Sequence, residues 1–164
     1  MVLDLKKVFL EEDETLPFAC DLDLSETEIG GYHPFISPVK VKGFVRHEAG
    51  AAFFQAETEF VFCIPCDRCA EEIKKEYRYT FQHMLASVLN DEDHDLYLQI
   101  EGYQLDVDEL LRADILLELP SKYLCKPDCR GLCPKCGKNL NSGSCDCNTH
   151  QIDPRLEVLK QLID

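Results

Sequence analysis

The chain has 164 residues, a formal net charge of −14, ten cysteines and no tryptophan. That length allows one ordinary domain, or one domain with a small appendage, and the acidity argues against a sequence-independent nucleic-acid binder, which needs a basic face to neutralise phosphates. No apolar run approaches the roughly 18 residues of a membrane span, and the N-terminus turns acidic before any long apolar stretch, so no export signal is read there. The expected location is therefore cytoplasmic, where thiols stay reduced and a cysteine-rich chain holds metal rather than disulfides.

Taken in chain order, residues 3–9 and 16–22 are weak strand candidates. Val39, Val41 and Val45 then alternate with Lys40, Lys42 and Arg46, the period-2 pattern of a half-buried strand. The stretch from Glu48 to Ala51 contains Gly50 and can turn the chain. Phe54, Ala56, Thr58, Phe60 and Phe62 line one face of the next run, against Gln55, Glu57 and Glu59. A third run sets Ile73, Tyr77, Tyr79, Phe81 and Leu85 against Lys74, Glu76, Arg78 and Gln82. Together the three predict an antiparallel meander, with Cys63 to Cys69 in its second turn. Residues 96–100 are another weak strand.

Helix signals come late. Asp106 followed by Glu109 is a variant capping box, Val107, Leu110, Leu111 and Ile115 form one apolar stripe, and Pro120 marks the stop. This predicts a helix over 106–119. A second helix is expected from Asp153-Pro154, with Leu156, Leu159, Leu162 and Ile163 as its apolar face. The fold class is α+β: an antiparallel β-sheet or partly open β-barrel with one or two packing helices and a zinc-held C-terminal tail. Charge divides the chain in the same way. Residues 1–120 carry −16, whereas 121–164 carry +2 and six of the ten cysteines. The expected division is an acidic sheet domain over 1–120, including helix 106–119, and a cysteine-rich zinc-binding tail over 121–164.

Cys133-Pro134-Lys135-Cys136 followed by Cys145 and Cys147 is the strongest local signal. A Cys-x-x-Cys turn lets two thiolates converge on one ion at ~2.3 Å, and zinc takes four ligands in a tetrahedron. Gly137 permits the backbone to fold back beneath the metal. A second Cys-x-x-Cys turn, Cys66 to Cys69, cannot close a site alone. The preferred partition places Cys66, Cys69, Cys125 and Cys129 in one site and Cys133, Cys136, Cys145 and Cys147 in the other, hence two zinc ions. A tail-only site of Cys125, Cys129, Cys133 and Cys136 is the alternative, with disulfides or free thiols beyond it. Cys63, Cys66 and Cys69 imitate part of a ferredoxin run, but the fourth cysteine that run needs is replaced by the sequence after Ala70. Cys63 can simply be packed at a strand end, and Cys20 reads as a small buried hydrophobe.

Lys122, Lys126, Arg130, Lys135 and Lys138 thread the tail. They can offset the double negative charge of a zinc tetrathiolate, or present a small basic face in which Lys126, Arg130, Lys135 and Lys138 contact RNA or a particle. Enzyme signatures are poor: His33, His47, His83, His94 and His150 stand apart, and all-cysteine zinc sites leave no position open for water or substrate. The acidic run from Asp91 to Asp95 reads as a solvated loop. No catalytic role is expected.

The segments Cys66-Asp67-Arg68-Cys69, LPSKYLCKPDCRGLCPKCGKNLNSGSCDC over 119–147 and the closing DPRLEVLKQLID resemble the YceD family, also called the large ribosomal RNA subunit accumulation protein family. IEGYQLDVDELLRADILLELP is similar to the family's segment ahead of its cysteines. The resemblance runs over about residues 60–164, and Ala70 stands where the family usually has leucine. It implies a non-enzymatic role in 23S ribosomal RNA accumulation and large-subunit biogenesis, with a large-subunit precursor particle or a basic ribosomal protein as partner. Without it, the residues fit a zinc-stabilised interaction module in another pathway equally well.

Overall fold

In the computed structural model, which describes residues 1–48, 50–88 and 96–147, the chain runs β1 (Val2–Asp4), α1 (Lys6–Leu10), β2 (Thr15–Leu22), β3 (Val39–Glu48), β4 (Ala51–Pro65), β5 (Glu72–Ala86), β6 (Leu98–Gln99), β7 (Gln104–Asp106) and α2 (Val107–Glu118). It divides into two units. A sheet unit takes Met1–Ile64 and Ile73–Ser121, and a cysteine unit takes Pro65–Glu72 with the residues from Lys122 onward. The helix expected from residue 153 and the acidic run 91–95 lie outside the described residues.

The sheet order is β2-β3-β4-β5-β6, an open sheet with β2 and β6 as its edges rather than a barrel. β2 pairs antiparallel with β3, and β3 with β4. Side-chain bonds Gln55–Gln82 at 3.2 Å and Arg78–Glu59 at 3.1 Å place the same antiparallel register across β4 and β5. Only the short β6 breaks the pattern, pairing parallel with β5 through Leu85↔Leu98. The sheet is therefore mixed at one edge.

Alternation decides the two faces. Val39, Val41 and Val45 of β3 and Phe54, Ala56, Phe60 and Phe62 of β4 are buried together. Phe60 sits at the centre of an aromatic cluster, 5.3 Å from Phe35, 5.7 Å from Tyr77 and 6.0 Å from Tyr79 between ring centroids. On the opposite face, Asp21, Lys40, Glu59 and Arg78 occupy successive strands in register, and Lys42 faces Glu57. Opposite charges on facing positions support the pairing. Gly43 is needed for space: a Cβ there would lie 2.6 Å from the Phe18 ring and 2.3 Å from the Gln55 carbonyl oxygen.

Residues 3–9, expected as a strand, divide into β1 and α1. Asp4 accepts the Lys6 N–H at 3.0 Å, a local side-chain bond that ends the strand. Leu5 and Val8 are then buried at helical spacing. β1 pairs instead with β7, Leu3 opposite Leu105. The late helix forms as α2. Asp106 caps it by accepting from the N–H groups of Asp108 and Glu109, and Val107, Leu111 and Ile115 are its buried face, with Leu110 half-buried. No helix among the described residues is long and apolar enough to cross a membrane.

Candidate metal centres

The two Cys-x-x-Cys turns share one backbone design. In the first, the Ala70 N–H donates to the Cys66 carbonyl at 2.9 Å and the Cys66 N–H to the Glu71 carbonyl at 2.8 Å. In the second, the Gly137 N–H donates to the Cys133 carbonyl at 2.9 Å and the Cys133 N–H to the Lys138 carbonyl at 2.9 Å. The residue after the second cysteine is left-handed in both, with φ of 58° at Ala70 and 71° at Gly137. Glycine adopts that conformation without strain, whereas alanine does not.

Each turn gains a second pair of cysteines. Tyr123 lies alongside Asp67: the Asp67 N–H donates to the Tyr123 carbonyl at 2.8 Å, and the Tyr123 N–H to the Asp67 carboxylate at 2.7 Å. This seats Cys125, whose N–H donates to Cys66 Sγ at 3.4 Å. Arg68 then ties down the other member, its guanidinium donating to the Cys129 carbonyl at 2.7 Å. Gly131 has φ of 74°, and a Cβ there would lie 2.9 Å from the Arg68 carbonyl oxygen. The result is a group of Cys66, Cys69, Cys125 and Cys129, and a second of Cys133, Cys136, Cys145 and Cys147, each with its sulfurs within 4.8 Å of one another. The tail-only set does not form. Cys20 and Cys63 belong to neither group.

The spacing fits one ion per group. Cys66 and Cys129 sulfurs are 3.8 Å apart, and those of Cys69 and Cys125 3.5 Å. A tetrahedron with ~2.3 Å metal–sulfur bonds has edges of ~3.8 Å, whereas a multi-iron cluster would hold its cysteine sulfurs further apart. Electrostatics point the same way. Burial alone would keep the Cys66 thiol protonated, yet the backbone N–H groups of Arg68, Cys125 and Cys69 outweigh it and bring its pKa down to about 6. The N–H groups of Cys136 and Lys135 bring Cys133 to about 6 in the same way. Hydrogen bonding to its cysteine neighbours, Cys136 first, pushes Cys147 up to about 12. Desolvation of the sulfur, which faces inward although the residue is exposed, pushes Cys125 up together with hydrogen bonding to Cys69, Cys129 and Cys66. Each group thus sets thiols pushed towards ionisation, Cys66 and Cys129 in the first and Cys133 in the second, beside others held protonated by desolvation and by their cysteine neighbours. A divalent cation between them removes that conflict.

Two groups of four cysteines able to hold two metal ions are therefore present. Cys66, Cys69, Cys129 and Cys133 are buried, Cys145 and Cys147 half-buried, Cys125 and Cys136 exposed. Of the basic candidates, Lys126, Arg130 and Lys135 are exposed. Lys138 is engaged, its ammonium donating to the Ser144 carbonyl at 2.6 Å. Sequence reasoning passed over three contributors, Arg68, Asn139 and Asn141. An arginine inside a Cys-x-x-Cys turn, and paired asparagines between ligand pairs, were the available signals.

A profile of the YceD family, described as large ribosomal RNA subunit accumulation protein YceD, matches residues 54–163. The chain belongs to the YceD family. The uncharacterised protein YlbN of Bacillus subtilis (strain 168) is 26% identical over 163 residues, covering 97% of this chain and 91% of that protein. Large ribosomal RNA subunit accumulation protein YCED homolog 1, chloroplastic, is similar in two plants. In Arabidopsis thaliana it is 33% identical over 63 residues, which are 38% of this chain and 20% of that protein. In Zea mays it is 35% identical over 74 residues, 43% of this chain and 25% of that protein. No solved structure matches this YceD-family chain significantly.

Proposed function

We propose that this YceD-family protein is a non-enzymatic, cytoplasmic factor for 23S ribosomal RNA accumulation and large-subunit biogenesis, with one structural zinc ion in each cysteine group. The observation that carries this reading is the family match over 54–163, which spans all eight grouped cysteines. Thiol-only tetrahedral donor sets suit zinc, and four protein ligands close the site to water and substrate. The chain is too acidic for bulk RNA to be attracted to it, and each zinc tetrathiolate is itself doubly negative. The acidic sheet unit suits a basic ribosomal protein, since opposite charge speeds encounter. RNA contact is confined to the exposed Lys126, Arg130 and Lys135.

Co-sedimentation with precursor large subunits tests the reading. The protein should travel with those particles and lose association as salt rises, while binding isolated 23S RNA weakly. Reversing charge at Lys126, Arg130 and Lys135 should weaken association with the zinc content intact. Absence from precursor particles, with normal 23S RNA levels after depletion, would leave the protein as a zinc-stabilised interaction module in another pathway.

A further inference from the structure

The loop joining Cys136 to Cys145 belongs by sequence to the second cysteine group, yet it reaches a ligand of the first. The Asn141 side-chain amide donates to Cys129 Sγ at 3.2 Å. The same side chain's Oδ1 accepts the Arg130 N–H at 2.9 Å, fixing the amide to the residue next to that ligand. Asn141 is itself oriented by Asn139, whose Oδ1 accepts the Asn141 N–H at 2.9 Å and whose Nδ2 donates to Glu71 at 3.2 Å. Glu71 lies two residues beyond Cys69. Backbone bonds follow the same path: the Leu140 N–H donates to the Gly131 carbonyl at 2.8 Å, and the Leu132 N–H to the Arg68 carbonyl at 3.0 Å.

A neutral N–H beside a thiolate stabilises its charge without competing for the metal, and such outer partners typically carry ~10–100-fold in metal affinity. The loop that aims this amide has no buried apolar side chain among its described residues. Its two ends are Cys133 with Cys136, and Cys145 with Cys147. One ion at the second group ties both ends together and orders what lies between them.

We propose that Asn141 is an outer-sphere partner of the first metal site, held in place by the metal of the second, so that filling either site strengthens the other. This rests on reading both groups as metal sites. The test uses the full chain, with zinc affinities measured by equilibrium competition against a chromophoric chelator. Fewer than two zinc ions on the unaltered chain would overturn the metal reading itself, and the coupling with it. Given two, emptying the second site by Cys133→Ser with Cys136→Ser should weaken the first about 10-fold or more. Emptying the first by Cys66→Ser with Cys69→Ser should weaken the second by the same factor, because coupled equilibria are reciprocal. Asn141→Asp keeps an oxygen for the Arg130 N–H but removes the donor to sulfur, so it should weaken the first site about 10–100-fold. On that background, emptying the second site should cost little more. A first site indifferent to Asn141→Asp and to the loss of the second ion would overturn the coupling, and two bound zinc ions would still uphold the metal reading.

Discussion

Phe54, Phe60, Phe62, Leu111 and Ile115 are among the fully buried side chains of the sheet unit. In the cysteine unit every buried apolar side chain among the described residues is a cysteine: Cys66, Cys69, Cys129 and Cys133. The first is ordered by removing apolar area from water, about 1.5–3 kcal/mol for each large side chain. The second has almost no such area. Its turns are set by backbone bonds and converge on sulfur, in two groups of four cysteines able to hold metal where the sheet unit has a core. With zinc in both groups, as proposed, the two units should fail under different perturbations.

Metal removal should have the largest effect. Structural zinc supplies an apparent ~10–16 kcal/mol in small zinc-finger peptides, so a chelator should abolish amide-exchange protection in the cysteine unit and leave the sheet unit protected. Equal loss in both units would break the comparison. Elemental analysis of the untreated protein should find two zinc ions. Cys66→Ser and Cys125→Ser should each lose the same single ion, and the double variant no more, as residues acting as a unit do. Cys20→Ser should change nothing in the metal content.

Phe60→Ala reverses the test. Truncating this buried ring should destabilise the sheet unit by about 3–5 kcal/mol, read as a lower denaturant midpoint by far-ultraviolet circular dichroism, with both zinc ions retained. Gly131→Ala sharpens the comparison within the cysteine unit, where it forces a left-handed alanine against the Arg68 carbonyl. The expected cost is about 1–3 kcal/mol, seen as faster zinc loss from the first site with an unchanged sheet midpoint. Asp106→Ala should have the smallest effect. Loss of the α2 cap costs about 1 kcal/mol, and a drop in zinc content instead would show that the units are not ordered independently.

Much of both regions was legible in the residues. Period-2 alternation located β3, β4 and β5, because a strand half-exposed to water must alternate. Asp106 and Glu109 located α2, because unpaired N–H groups at a helix start need an acceptor. Two Cys-x-x-Cys turns announced cysteine groups able to hold metal, because that spacing points two sulfurs one way. Residues 3–9 misled: Leu3, Leu5, Val8 and Phe9 suit a strand, and Asp4 ends it by bonding the Lys6 N–H. At 96–100 the strand is only two residues long and parallel, a choice that local pattern does not encode.

By itself the sequence determined which segments alternate, where α2 begins and which turns bring sulfurs together, since each follows from neighbours a few residues apart. The sequence favoured the division of eight cysteines into these fours over a tail-only set without excluding the latter. Tertiary structure decided between them, and it alone showed that Asn141 serves a ligand outside its own group. Those contacts join Cys66 to Cys129 and Glu71 to Asn139, positions separated by more than sixty residues. Loop closure over such distances costs little more than over short ones, so spacing cannot choose between partitions. The fold chooses, by pairing Asp67 with Tyr123 and Arg68 with Cys129, and so setting which thiols can meet around one ion.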